Sequence, residues 1–91
     1  MYFTYILRCF NSKSKRMIFY VGVTNNLIKR IKSHKSESTD TTKQFDIIEL
    51  VYYEACLNKK DAYIRERQLK TGFGRGYIKR RIGNYLKQLR V

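Results

Sequence analysis

Met17-Ile18-Phe19-Tyr20-Val21-Gly22-Val23-Thr24-Asn25-Asn26-Leu27-Ile28-Lys29-Arg30-Ile31-Lys32-Ser33-His34 is the stretch whose reading decides the fold. Met17 to Val23 is rich in apolar and aromatic residues and reads as a strand. Thr24 or Asn25 can then cap a helix running to about Lys35. Leu27, Ile31 and His34 recur at i, i+4 and i+7 with Ile28 alongside, which marks the inward stripe of that helix. Arg30 lies three residues after Leu27 and four before His34, so it borders the same stripe. The bland account of Arg30 is a stem packed along the core with its head in water. The functional account is a guanidinium held at a site.

Towards the N-terminus, Tyr2-Phe3-Thr4-Tyr5-Ile6-Leu7-Arg8-Cys9 is another strand, with Phe3, Tyr5, Leu7 and Cys9 on one face by alternation. Asn11 to Arg16 is polar and reads as a turn, so the two strands are expected to form a hairpin. Tyr5 and Tyr20 then stand on adjacent strands. Towards the C-terminus, Ser36 to Gln44 reads as a polar loop, and Ile47 to Glu54 as a third strand. Asn58 can cap a second helix running to about Lys70, with Asp61 at its positive end. Ala62, Glu66 and Leu69 share a face of it. A carboxylate beside a core is costly unless it is paired or metal-bound, and Lys70 has the i+4 spacing to pair it.

Thr71-Gly72-Phe73-Gly74-Arg75-Gly76 is expected to break that helix as a C-cap and flexible turn. It is not a phosphate loop, because it follows a helix and lacks the Gly-Lys-Ser/Thr ending. Tyr77 to Leu89 is read as a third helix, with Ile78, Ile82, Tyr85, Leu86 and Leu89 inward and Lys79, Arg80, Arg81, Lys87 and Arg90 on or near the outside. The expectation is an α+β fold, a small three-stranded antiparallel sheet flanked by about three helices, forming one domain over residues 1–91.

Lys and Arg number 20 against 7 Asp and Glu, a net charge of +13. The acids are confined to the middle: none precedes Glu37 and none follows Glu66. Two cationic ends attract polyanions, and nucleic acid is the leading partner. No apolar run approaches the roughly 18–20 residues of a spanning helix. Arg8 and Asn11 interrupt the N-terminal apolar stretch, which argues against a signal peptide. The chain therefore reads as cytoplasmic. Cys9 and Cys56 are expected to be free thiols. With two Cys and one His, a four-ligand structural zinc site is not available. Catalysis by Cys9 or Cys56 with His34 is disfavoured, since strand cysteines beside aromatics are usually inert packing.

The chemistry of the remaining residues points to phosphodiesters. A phenol has a pKa of about 10 and serves as a general base only if cations lower it. Arg30, Lys29 and a bound metal are the cations expected to do so. Arginine donates bidentate hydrogen bonds to phosphate. One carboxylate suffices for Mg²⁺ when waters and substrate phosphate complete the shell.

These residues resemble a known family. Phe3-Thr4-Tyr5, Tyr20-Val21-Gly22, Asn26-Leu27 with Arg30 and His34, and Ala62 with Arg65-Glu66 and Leu69-Lys70 are similar to the ordered motifs of the GIY-YIG nuclease domains. The likeness is to small stand-alone members and to the N-terminal domain of the excision-repair nuclease subunit UvrC. It covers about residues 2–83, with Gly74-Arg75 to Arg81 resembling the basic tail.

The resemblance implies hydrolysis of a DNA phosphodiester with one divalent ion, Mg²⁺ or Mn²⁺, in a structure-specific or repair setting. It implies that Glu66 binds the metal and that Arg30 holds the scissile phosphate. Tyr5 and Tyr20 would activate and orient the attacking water, with Tyr5 the preferred base. His34 would be a supporting group or second base. Lys29, Lys32, Lys70, Arg75, Lys79 and Arg80 are the expected nucleic-acid contacts. Two departures are Phe-Thr-Tyr in place of Gly-Ile-Tyr, and Val23 where some relatives carry Lys. The alternatives are a non-catalytic nucleic-acid-binding module on the same fold, and a nuclease subunit that takes its specificity from a protein partner. DNA is the expected substrate, with RNA left open and no membrane involved.

Overall fold

The computed structural model describes residues 1–36 and 44–89. Strand β1 (Tyr2–Phe10) is followed by β2 (Met17–Thr24), helix α1 (Leu27–Ser36), β3 (Ile47–Cys56), α2 (Lys59–Leu69), α3 (Gly72–Arg81) and α4 (Gly83–Gln88). The strands form an antiparallel sheet in the order β2-β1-β3. The α+β class and the three-stranded sheet are as expected, with four helices rather than three. Most of the expected loop, residues 37–43, lies outside the described residues.

The β1–β2 hairpin is closed by its own polar turn. Asn11 Oδ1 accepts from the backbone N–H groups of Lys13 and Ser14 at 2.9 and 3.1 Å. Lys15 takes a left-handed backbone, φ 63°, that lets the chain reverse.

As the central strand, β1 has helices over both of its faces. Tyr5, Leu7 and Cys9 pack with Phe45, Leu27 and Ile31 on the α1 side. Ile6 packs with Val21, Leu69 and Ile78 on the side of α2 and α3. The alternation at Phe3, Tyr5, Leu7 and Cys9 is present, but on the opposite face Thr4 and Ile6 are buried too. The threonine on that second face, Thr4, donates its hydroxyl to the Ala62 carbonyl at 3.0 Å and pins β1 to α2.

The pairing of β1 with β3 steps from Ile6 opposite Tyr52 to Leu7 opposite Leu50. Val51 is the extra residue of a β-bulge. Val51 and Tyr52, consecutive in sequence, therefore both serve the Ile6 side.

Caps explain the helix boundaries. Asn26, not Thr24 or Asn25, caps α1: its side chain accepts from the Lys29 N–H at 3.1 Å. The Thr24 hydroxyl instead accepts from the Asn26 N–H at 3.1 Å. Asn58 caps α2 by accepting from the Lys60 N–H at 2.8 Å, as expected.

The third helix differs from its expectation. It begins at Gly72 rather than Tyr77 and ends at Arg81. Thr71 is its cap, accepting from the Gly74 N–H. Gly74 is not a breaker but a close approach, since an added Cβ would lie 2.0 Å from the Leu69 carbonyl oxygen. The real interruption falls at Ile82, whose backbone (φ −113°, ψ 28°) separates α3 from α4.

Helix α4 is clamped to the sheet by polar contacts. Arg8 Nε donates to Glu49 Oε1 at 2.5 Å, and Tyr85 donates its hydroxyl to the same oxygen. Burial pulls the Glu49 carboxyl upward in pKa, but Tyr85 and Arg8 outweigh it and hold it below its ordinary value.

The two glycines of α3 should respond oppositely to alanine. Gly74→Ala forces α3 away from α2 and should cost about 1–3 kcal/mol. Gly76→Ala meets only the mobile tip of Arg80 at 3.3 Å and should gain about 0.5–1 kcal/mol from helix propensity. Urea unfolding of both variants beside the parent checks this.

Candidate active site

Strand β1 supplies Tyr5, β2 supplies Tyr20, and α1 supplies Arg30 and His34. Leu27 and Ile31 seat α1 on the sheet, and residues 30 and 34 follow on the adjoining helical row. The four side chains converge. The Tyr5 hydroxyl is 3.0 Å from His34 Nε2. Arg30 Nε donates to the Tyr5 hydroxyl oxygen at 3.2 Å. The Tyr20 ring meets the His34 ring edge to face, with centroids 4.8 Å apart, and Tyr5 and Tyr20 are 6.2 Å apart.

Gly22 makes this arrangement possible. It stands opposite Tyr5 in the sheet, and the Tyr5 ring lies across it. A Cβ at residue 22 would come within 2.5 Å of the Tyr5 hydroxyl oxygen. The glycine of Tyr20-Val21-Gly22 is thus the floor on which the other tyrosine rests. Reading the two strands separately misses this; aligning them as a hairpin with Tyr5 opposite Gly22 would have revealed it.

The electrostatics differ from one expectation. Burial raises the Tyr5 phenol above its ordinary pKa; Arg30 pulls it down but does not win, and Tyr20 adds to the rise. The protein's own cations therefore do not turn Tyr5 into a ready phenolate. Burial, with Arg30 close by, lowers the pKa of His34 and keeps the ring neutral. His34 is completely buried, and its Nδ1 has no hydrogen-bond partner among the described residues. The hydrogen bond with Tyr5 raises the Arg30 pKa against a smaller effect of burial, so the guanidinium stays charged.

Glu66 comes from a different element, α2. It pairs with Lys70 at 3.3 Å. No hydrogen bond or ion pair joins it to Tyr5, Tyr20, Arg30 or His34 among the described residues. Its side chain is 19% exposed against 55% for Lys70, so the lysine can swing away while the carboxylate stays. No cluster of three or more His, Cys, Asp or Glu side chains suited to a metal occurs among the described residues. One hard oxygen donor fits a largely hydrated Mg²⁺ whose shell is completed by substrate phosphate, and does not fit an ion caged by protein.

The expected nucleic-acid contacts fall into two groups. Lys29 and Lys32 are exposed on α1, while Arg75, Lys79 and Arg80 are exposed on α3 across the sheet. Lys70 ends α2 between them in sequence and is engaged with Glu66. Cys9 is buried among aromatics, and burial pushes its thiol up to about 11, as befits inert packing. Both cysteines are free. Among the described residues, no helix is long and apolar enough to cross a membrane.

A sheet that brings two tyrosines to an arginine and a histidine on the following helix is the architecture of a small nuclease-type catalytic domain. The chain belongs to the GIY-YIG family of nucleases: the model of the GIY-YIG catalytic domain matches residues 1–80. Similar proteins include a UPF0213 protein of Clostridium perfringens (strain 13 / Type A), 39% identical over 71 residues, covering 77% of this chain and 71% of the relative. A UPF0213 protein of Pediococcus pentosaceus is 34% identical over 70 residues, 76% of this chain and 68% of the relative. A third, from Bacillus pumilus, is 26% identical over 91 residues, 99% of this chain and 83% of the relative. No solved structure matches the chain significantly.

Burying a neutral His34 has a thermodynamic signature. Its folded pKa lies below the ordinary 6.5, so the unfolded chain binds the extra proton. Stability is then fully present above about pH 6.5 and falls as the pH drops below it. Glu49 and Glu54, held below their ordinary 4.5, begin to lose their contributions only in more acid solution. The urea midpoint should therefore fall between pH 7 and pH 5, and His34→Gln should flatten that change.

Proposed function

We propose that this protein is a divalent-metal-dependent endonuclease that hydrolyses phosphodiester bonds in DNA. The observation that carries this reading is the Tyr5 hydroxyl, held between Arg30 Nε and His34 Nε2. That oxygen can take a proton from an attacking water while passing its own proton to the neutral His34 ring. A phenol with a raised pKa is a poor base alone, and this relay removes the need for a standing phenolate. The protonated imidazole is disfavoured by burial and by Arg30, so the proton is readily returned once the step is complete.

Arg30 has the charge and the fork to hold the scissile phosphate and the negative charge that develops on it. Tyr20, packed on His34, orients the water or a phosphate oxygen. Glu66 would hold the metal once Lys70 releases it. When bound, the ion neutralises charge on the phosphoryl oxygens and polarises them. Lys29, Lys32, Lys70, Arg75, Lys79 and Arg80 supply salt-sensitive attraction to the backbone. A structure-specific or repair role, and a protein partner that adds specificity, belong to this same reading.

A second reading is a nucleic-acid-binding module without catalysis. The observation favouring it is that burial keeps the Tyr5 phenol protonated while Lys70 occupies Glu66. One experiment separates the two. Supercoiled plasmid and a four-way junction are incubated with Mg²⁺ or Mn²⁺, with and without EDTA, beside Glu66→Gln and Arg30→Ala. The nuclease reading expects cleavage that stops with EDTA and falls roughly a hundredfold or more in each variant. It expects Glu66→Gln to keep the fold, since a partly exposed ion pair is worth at most about 1 kcal/mol. Salt-dependent binding with no cut under any of these conditions would leave the binding module.

A further inference from the structure

Beside the catalytic group lies a cavity of about 390 Å³ into which Arg30 opens. Its other walls come from the ends of β1 and β2 and the start of α2: Tyr2, Val23, Thr24, Asn25, Lys59 and Tyr63. None of these except Arg30 is used by the reaction described above. We propose that this cavity receives an unpaired nucleobase next to the scissile phosphate, so that the preferred substrate carries an unpaired nucleotide at the cut. The inference rests on the nuclease reading for its link to cleavage, but the pocket itself is testable without it.

The composition of the walls carries the argument. Two tyrosine rings line a cavity whose size lies within the range of small-ligand pockets, roughly 300–1,000 Å³. Flat aromatic faces are what a base needs for stacking, whatever its identity. Tyr63 is 44% exposed and serves no core. Lys59 Nζ lies over its ring, 5.9 Å from the centroid; a base stacking on that face displaces the flexible ammonium towards its own phosphate. The Asn25 side-chain amide and the hydroxyls of Tyr2 and Tyr63 make no hydrogen bond among the described residues, so they are available to the edge of a base. The Thr24 hydroxyl is already committed to Asn26.

Position fixes the register. Because Arg30 is shared between the cavity and the Tyr5 hydroxyl, a nucleotide whose base fills the cavity has its phosphate at Arg30. Tyr63 also precedes Glu66 by one turn on α2. A base within a duplex can enter only by leaving its stack and its partner, and that penalty vanishes at a bulge, flap or frayed end.

The test is made in EDTA at fixed salt, so that no cleavage intervenes. The probes are a hairpin duplex with one bulged 2-aminopurine and the same hairpin fully paired. The wild-type protein should bind the bulged form on the order of tenfold more tightly, in the range expected for one aromatic stack, and should quench its fluorescence. Tyr63→Ala should lose the preference and the quenching while binding the paired hairpin as before; Tyr63→Phe should keep both. Equal affinities of the wild type for the two hairpins, or quenching that survives in Tyr63→Ala, overturns the proposal. The same hairpins with Mg²⁺ separate the two ideas. Bulge preference without any cut leaves the pocket and removes the nuclease. Cleavage indifferent to the bulge and to Tyr63 leaves the nuclease and removes the pocket.

Discussion

Everything in this molecule depends on β1 being paired on both edges and covered on both faces. Its backbone groups are satisfied by β2 and β3, so an apolar strand can lie in the interior without unpaired polar atoms. Its side chains alternate between two cores, and each core fixes a different part of the site. The face with Tyr5 and Leu7 holds α1, and with it Arg30 and His34. The face with Ile6 holds α2 and α3, and with them Glu66. One strand thereby sets the relative placement of the Tyr5–His34–Arg30 group and Glu66, although no bond joins the two among the described residues.

The charges divide the same way between interior and surface. Three of the acids are drawn into ion pairs: Glu49 with Arg8, Glu54 with Arg65, and Glu66 with Lys70. Glu54 also accepts from the Tyr52 hydroxyl, which touches Tyr77, and Arg65 stacks over the Tyr77 ring at 4.8 Å. These contacts lock α2, α3 and β3 together and use acid to neutralise partly buried arginines. Lys29 and Lys32 on α1 and Arg75, Lys79 and Arg80 on α3 are exposed and form no ion pair with an acid among the described residues. The net charge of +13 is therefore expressed at the surface, where a polyanion meets it.

Much of this was legible in the chain. Alternation in Tyr2–Cys9, the apolar and aromatic run Met17–Val23, and the cap residue Asn58 located two strands and the start of α2, because those signals are local. The i+4 spacing of Glu66 and Lys70 announced their pairing for the same reason. The start of α3 was misread because Gly72, Gly74 and Gly76 look like breakers one at a time. Gly74 is demanded by Leu69, a neighbour defined only by how two helices meet. The burial of the second face of β1 was hidden because a strand does not declare whether it is central. The convergence of Tyr5, Tyr20, Arg30 and His34 followed from ordered motifs, whereas the direction of the Tyr5 shift did not. Spacing shows which cations are near a phenol; only packing shows how much water has been removed from it.

The seat of Tyr5 has a consequence for the entropy of the proposed reaction. Gly22 lies beneath its ring, His34 meets its hydroxyl, and Arg30 holds the same oxygen from the side. Its torsions are spent when the chain folds, at a cost shared with the rest of the core. In the proposed reaction, a water arriving beside the phenol would find its acceptor already aimed, with no side-chain search between encounter and proton transfer. Under that proposal, rigidity won during folding would become a smaller activation entropy, and a residue without a side chain is what makes the conversion possible.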